Sequence, residues 1–295
     1  MKTIIVSIIS VLLSGCMLLS AQTINRLDKG RYSIEVGEVS MIIDAAHGGK
    51  IVSYALEKDY EIISQLSFPN SFGSTFWPSP QGEWDWPPVP EYDTLPFEAE
   101  IKDGTLILTG RKSERFGYRI CKKFVADPTD CSIEITYSII NETDEIRKVA
   151  PWEVTRTPNG GMIFFEADEV SPYKDMEPLP FTFQHGAAWC EIDTERFYRK
   201  INADGKGWIG FIYNAMLVVK KFQDIDQSMA APGEAEIQLY VHGGRTFIEI
   251  ESQGAYTSLK PGEKLDWTVK WYLIDMPRPA KPSKALVNKV KKMIK

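Results

Sequence analysis

From Arg31 onward the chain alternates apolar and polar residues with period two. Tyr32, Ile34 and Val36 answer Val39, Met41 and Ile43 across a Gly37-Glu38 turn, the pattern of a half-buried hairpin. The same signal returns at Ile101, Leu106 and Leu108 around Lys102-Asp103-Gly104, at Tyr118 to Val125, and at Ile133, Ile135, Tyr137 and Ile139. It continues through Trp208 to Tyr213, Met216 to Phe222, Ala235 to Val241, and Phe247, Ile248 and Ile250 beyond Gly243-Gly244. After Pro261-Gly262, the residues Leu265, Trp267, Val269, Trp271 and Leu273 alternate with Asp266, Thr268, Lys270 and Tyr272, which predicts a strand with one face in a core. So many strands separated by turns predict an all-β fold, a large antiparallel β-sandwich, rather than an α/β sheet.

The two ends read differently. Met1 and Lys2 precede an apolar run from Ile4 to Leu13, the form of a secretory signal and too short to span a membrane. Leu13-Ser14-Gly15-Cys16 has the form of a lipobox that would lipidate Cys16 and anchor the protein to a membrane, and cleavage after Ala21 competes with it. Either way the protein is expected to be exported, to the periplasm or lipid-anchored to the cell envelope. At the other end, Pro277, Pro279 and Pro282 lead into Ser283 to Lys295, where Leu286, Val290 and Met293 share one helical face with lysines opposite. That helix either docks on the domain or touches an anionic membrane surface. The expected division is a signal peptide over 1–21, one β-sandwich domain over 22–276, and a Pro-rich linker with a short basic helix over 277–295.

Charge and cysteine content narrow the partners. The chain of 295 residues carries a net charge of -6 and no basic stripe, which argues against nucleic acid and leaves a neutral ligand as the better fit. Past the signal, Cys121, Cys131 and Cys190 lack metal-site spacing and read as core thiols. Cys121 and Cys131 flank the turn Ala126 to Asp130 and would pair across a hairpin if in register. No cofactor motif is present, and a calcium site from Glu83, Asp85 and Asp93 does not match an EF-hand spacing.

The most unusual segment is Gly73 to Pro88, with three tryptophans and four prolines in sixteen positions. Proline lacks the N–H that a ladder needs, so the segment is expected to be a rigid loop. Trp77, Trp84 and Trp86 would offer indole faces to the C–H face of a pyranose, and Gln81, Glu83 and Asp85 would exchange hydrogen bonds with hydroxyls. The alternative is that the tryptophans plug one end of the sandwich.

Phe247-Ile248-Glu249-Ile250-Glu251-Ser252-Gln253-Gly254, followed by Leu259-Lys260-Pro261-Gly262-Glu263 and the alternating last strand, resembles the end of the aldose 1-epimerases, the galactose mutarotases. Asn141-Glu142-Thr143-Asp144 ahead of Pro151-Trp152-Glu153-Val154-Thr155-Arg156, and Gly48-Gly49-Lys50-Ile51, add to the likeness. Together with the Trp-Pro-Ser-Pro-Gln loop, the pattern looks like a bacterial branch of this superfamily over roughly residues 30 to 275. The resemblance implies a galactose mutarotase-like supersandwich, with Glu251 at the position of the family's catalytic base and Gln253 beside it. The family's histidine acid is replaced, with Trp152 or Glu153 near its position.

Mutarotation needs a base for the anomeric hydroxyl and an acid for the ring oxygen. Glu251 as base, Glu153 as acid beside Trp152, and Arg156 as an orienting group would supply that chemistry, with Trp77, Gln81, Trp84, Trp86, Trp152, Arg156 and Gln253 binding the sugar. Glu249 and Glu251 share one strand face, so at least one is expected to be merely solvated. His47 and His242 adjoin glycine turns and read as surface or packing residues, while His185 is held in reserve as an acid. Three functions follow: an exported carbohydrate-binding protein, an active carbohydrate enzyme using Glu251, or an envelope interaction module whose aromatic loop is a contact hot spot.

Overall fold

A computed structural model describes residues 22–66, 71–192, 198–244, 246–277 and 279–295. The expected signal and Cys16 lie outside the described residues. Among the described residues, two antiparallel sheets, of twelve and ten strands, pack face to face around one large apolar core. The period-two segments form the expected strands. Arg31–Val36 and Val39–Asp44 pair with Val36 opposite Val39, and Lys264–Asp275 turns Trp267, Val269, Trp271 and Leu273 into the core.

The middle of the larger sheet runs, edge to edge, Lys50–Leu56, Ser74–Ser79, Arg147–Thr157, Ile248–Gln253, Ile237–Val241 and Arg199–Ala203. Ser74–Ser79 corrects the sequence reading: Trp77-Pro78 lies in a central strand and not in the loop, which begins only after Ser79. Two features make proline tolerable there. Pro78 faces Pro151 directly, and such a pair needs no N–H between the two residues, because both nitrogens of a non-hydrogen-bonded pair face outward. On its outer side Lys50–Leu56 pairs with this strand only at Ser74, so no neighbour waits for a donor at Pro78.

The C-terminal helix, Lys284–Met293, is capped by Ser283 and buries Leu286, Val287 and Val290 against Phe164, Trp208, Leu217 and Tyr272. The helix covers the outer face of the smaller sheet, which is why Tyr272, on the polar side of an alternating strand, is nevertheless buried. Among the described residues, no helix is long and apolar enough to cross a membrane. Cys121 stands opposite Ser138 in its hairpin while Cys131 sits in the turn, so the two are not in register for a bond across the hairpin.

Candidate functional site

Residues directly opposite on neighbouring strands point to the same side of a sheet. Register therefore gathers one set of side chains on the outer face of the larger sheet: Trp77 opposite Trp152, Arg156 opposite Glu249, Tyr240 opposite Glu249, and Lys200 opposite Tyr240. Above them opens a cleft of about 400 Å³, whose walls include Trp77, Trp86, Trp152, Tyr173, Tyr240 and Phe247. Gln81, Lys200, His242 and Glu249 add polar groups to those walls. A larger groove of about 700 Å³ lies elsewhere, between hairpin turns at Gly37-Glu38 and Asn214-Ala215, and gathers no comparable aromatic and charged set.

The indoles are pinned by acids beneath them. Trp77 Nε1 donates to Asp93 Oδ1 at 3.0 Å, and Trp152 Nε1 donates to Glu251 Oε2 at 2.9 Å. Asp93 also accepts from Lys50 and Thr75, so its carboxylate is committed to the protein; Glu83 turns toward Tyr256 and Arg147. Glu83, Asp85 and Asp93 do not converge, and among the described residues no cluster of three metal-ligating side chains forms. Trp84 is buried behind the wall: its Nε1 donates to the Pro78 carbonyl and its ring packs on Trp77 and Trp152. Trp86, by contrast, stands 56 % exposed at the cleft lip, edge-on to Trp77.

Glu251 is fully buried on the cleft face, beneath Trp152 and Lys200. Its Oε2 accepts from Lys200 Nζ at 3.0 Å, while Oε1 has no hydrogen-bond partner. Burial pushes this carboxyl up to about 7; Lys200 opposes the shift and the like charge of Glu249 adds to it. Burial works to lower the Lys200 pKa, but Glu251, Glu234 and Glu249 outweigh it and the ammonium is held in its charged form. Glu249 and Glu251 do share a face, yet neither is simply solvated, because Glu249 Oε1 meets Arg156 Nη2 at 2.8 Å. Arg156 is buried between the Trp77 and Phe247 rings and anchors Glu249 instead of lining the cleft.

The structure separates Glu153 from this set. Period two turns it away from Trp152 and Arg156, into the layer between the sheets, where it accepts from Tyr137 Oη at 2.6 Å, Trp271 Nε1 at 3.2 Å and Lys220 Nζ at 2.7 Å. A side chain on the opposite face of the strand cannot deliver a proton to a ligand above Glu251. Gln253 stays on the cleft face but beneath the loop, accepting from Ser79 Oγ and donating to Gln238 and Glu234. His185 lies at a separate groove with Glu166 and Lys206, and His47 pairs with Asp44.

His242, read from the sequence as a surface or packing residue, packs in the wall of the cleft. It stacks on Phe247 at 4.9 Å, and its Nδ1 accepts from the Gly244 N–H, which leaves the ring proton on Nε2. Burial lowers its pKa, so the ring is neutral at pH 7. Lys200, Tyr173, Tyr240 and Met176 were also missed: none carries a local motif, strand pairing brings Lys200 beside Tyr240, and the Tyr173 N–H to the Lys200 carbonyl and the turn from Tyr173 to Met176 bring in the other two.

Among solved structures, a candidate aldose 1-epimerase from Escherichia coli K12 superposes with a TM-score of 0.59 at 13% identity, covering 87% of this chain and all of that one. The galactose mutarotase-like fold is thereby established. A galactose mutarotase related enzyme from Lactobacillus acidophilus matches this fold with a TM-score of 0.56 at 12% identity, over 85% of this chain and 100% of its own. A TPR-domain containing protein from Parabacteroides distasonis matches at 0.59 and 13% identity, over 90% of this chain and 55% of its own. No protein-family model matches the sequence, and no curated protein does either. At these identities the mutarotase-like likeness is one of fold, and the residues of the cleft carry the question of function.

Proposed function

We propose that the protein is an exported carbohydrate-binding protein that holds a sugar in the tryptophan-lined cleft. One observation carries the reading: rings of Trp77, Trp86, Trp152 and Tyr240 face the same space as Lys200, Glu249, Gln81 and His242. Sugars present C–H faces that suit aromatic rings and hydroxyls that suit mixed donors and acceptors. The charges are compensated in pairs, Arg156 with Glu249 and Lys200 with Glu251, which favours a neutral polyhydroxylated ligand over a strongly charged one. The cleft volume of about 400 Å³ falls within the range of small-ligand sites. The galactose mutarotase-like fold supports the same ligand class. Binding is favoured over turnover, because the two carboxyls that ring opening would use stand on opposite faces of the sheet.

A thermal-shift screen against mono- and oligosaccharides tests this reading, since a ligand that binds only the native state raises its melting temperature. A sugar is expected to raise it in the wild type and to lose that effect in Trp152→Phe, which keeps an aromatic ring but gives up the bond to Glu251 and much of the platform. No response from any sugar would overturn the proposal and favour a protein partner for the aromatic wall.

Export is supported by the apolar run and by Leu13-Ser14-Gly15-Cys16. Radiolabelled palmitate is expected in the cell-grown protein and to vanish in Cys16→Ser; an unlabelled periplasmic form cut after Ala21 would favour the soluble alternative. Full-length protein confined to the cytoplasm would sink both.

A further inference from the structure

We infer that the ligand is an oligosaccharide lying across the strands, and that Tyr198 forms the far end of its platform; this rests on the carbohydrate reading above. The aromatic wall does not stop at the cleft. Tyr198 immediately precedes Arg199–Ala203, two residues before Lys200 and on the same face, and its ring stacks on Tyr240 with centroids 6.3 Å apart and planes at 28°. It also meets the edge of His242 at 5.3 Å.

Tyr198 is 55 % exposed and Trp86, at the opposite lip, 56 % exposed. Large rings are usually half-covered by neighbours, so two that stand this open at the ends of one aromatic run leave faces available to a ligand. The run crosses the sheet in the order Trp86, Trp77, Trp152, Tyr240, Tyr198. From Ser74–Ser79 to Arg199–Ala203 there are four strand spacings of roughly 4.8 Å, a span of about 19 Å. That length exceeds one pyranose with its hydroxyls and suits a trisaccharide.

The polar groups fall between the aromatic ends, as a chain of hydroxylated rings requires. Lys200 Nζ sits over the Trp152 and Tyr173 rings, 5.1 and 5.3 Å from their centroids, and spends one of its three donors on Glu251. Glu249 and the neutral His242 ring lie beside it on the same wall. A flat protein surface would not need this alternation of stacked rings and compensated charges, whereas a neutral glycan uses both.

Calorimetric titration of the full chain with ladders of one to four units of β-1,4-linked glucose, β-1,4-linked xylose and β-1,4-linked mannose decides the matter. In one ladder the trisaccharide is expected to bind roughly tenfold tighter than the monosaccharide, the scale of an added ring contact. That ratio should collapse toward one in Tyr198→Ala and persist in Tyr198→Phe; the exposed position makes a folding defect in either variant readily excluded by its melting curve. Equal affinity for one and three units would overturn the inference and leave the carbohydrate reading standing. A ratio unchanged in Tyr198→Ala would do the same. Absence of binding across all ladders would overturn both.

Discussion

Glu153→Gln is expected to destabilise the protein by about 3–5 kcal/mol, the cost of leaving one member of a buried ion pair without its partner. Lys220 is fully buried and is held by Glu153, with the Thr155 hydroxyl also at its Nζ. Burial already lowers the Lys220 pKa, with Glu153 opposing. Once the carboxylate is replaced by an amide, no other acid among the described residues takes its place beside Lys220, which must either lose its proton or draw water into the core. Glutamine keeps an oxygen for Tyr137 or Trp271, so the loss reports the charge more than the hydrogen bonds. Urea denaturation measures the change. Glu153→Leu combined with Lys220→Met should recover much of it, because an apolar pair of similar volume is often as stable as a buried ion pair. If Glu153→Gln instead leaves stability intact and removes sugar affinity, the residue acts at the cleft and its placement between the sheets is wrong.

This case shows what the chain's pattern can and cannot disclose. Period two across Pro151 to Arg156 already separates Glu153 from Trp152 and Arg156. What the pattern leaves open is which of the two faces is the cleft, because the interior of this strand is buried on both sides. The decision comes from partners far along the chain, Tyr137 and Lys220 on one side and Lys200 and Glu251 on the other. Strands such as Thr105–Lys112 and Tyr118–Asp127 were legible for the opposite reason: each buries one face only, so alternation appears within a handful of residues.

Trp77-Pro78 was misplaced by a rule that is sound for a strand hydrogen-bonded along both edges. Here Pro151 across the ladder and the early departure of Lys50–Leu56 remove the need for the missing donor, and both facts are tertiary. Likewise, Tyr198, Lys200 and Tyr240 carry no motif. They become a site only through the pairing of Arg199–Ala203 with Ile237–Val241, two segments whose sequence separation hides the contact. Trp77, Trp86 and Gln81, which line the cleft, stand out in the sequence because an aromatic, proline-dense stretch is rare, whereas Trp152 is pointed to only by the resemblance around Pro151 to Arg156.

Lys200→Met should produce the other large effect, and one that depends on pH. In the wild type the folded-state carboxyl of Glu251 titrates at about 7, above its ordinary value of 4.5. A raised acid pKa contributes stability that is full below the unfolded value and is lost as pH rises through the folded one. Removing the ammonium takes away the main influence that holds Glu251 down, while burial and Glu249 continue to push it up. The window of lost stability still opens near the ordinary value of 4.5 but extends to higher pH and deepens. At pH 5 Glu251 is protonated in the folded state of both proteins and the gap between them should be small. Near pH 9 the wild type keeps its Lys200–Glu251 pair whereas the variant must either ionise a buried carboxyl that has lost its ammonium or keep it protonated against the solution, and the gap should grow to about 3–5 kcal/mol. Urea melts at the two pH values measure it. A gap that does not change with pH would mean that Lys200 contributes only packing over Trp152 and Tyr173, and that the charge at the floor of the cleft is set by some other group.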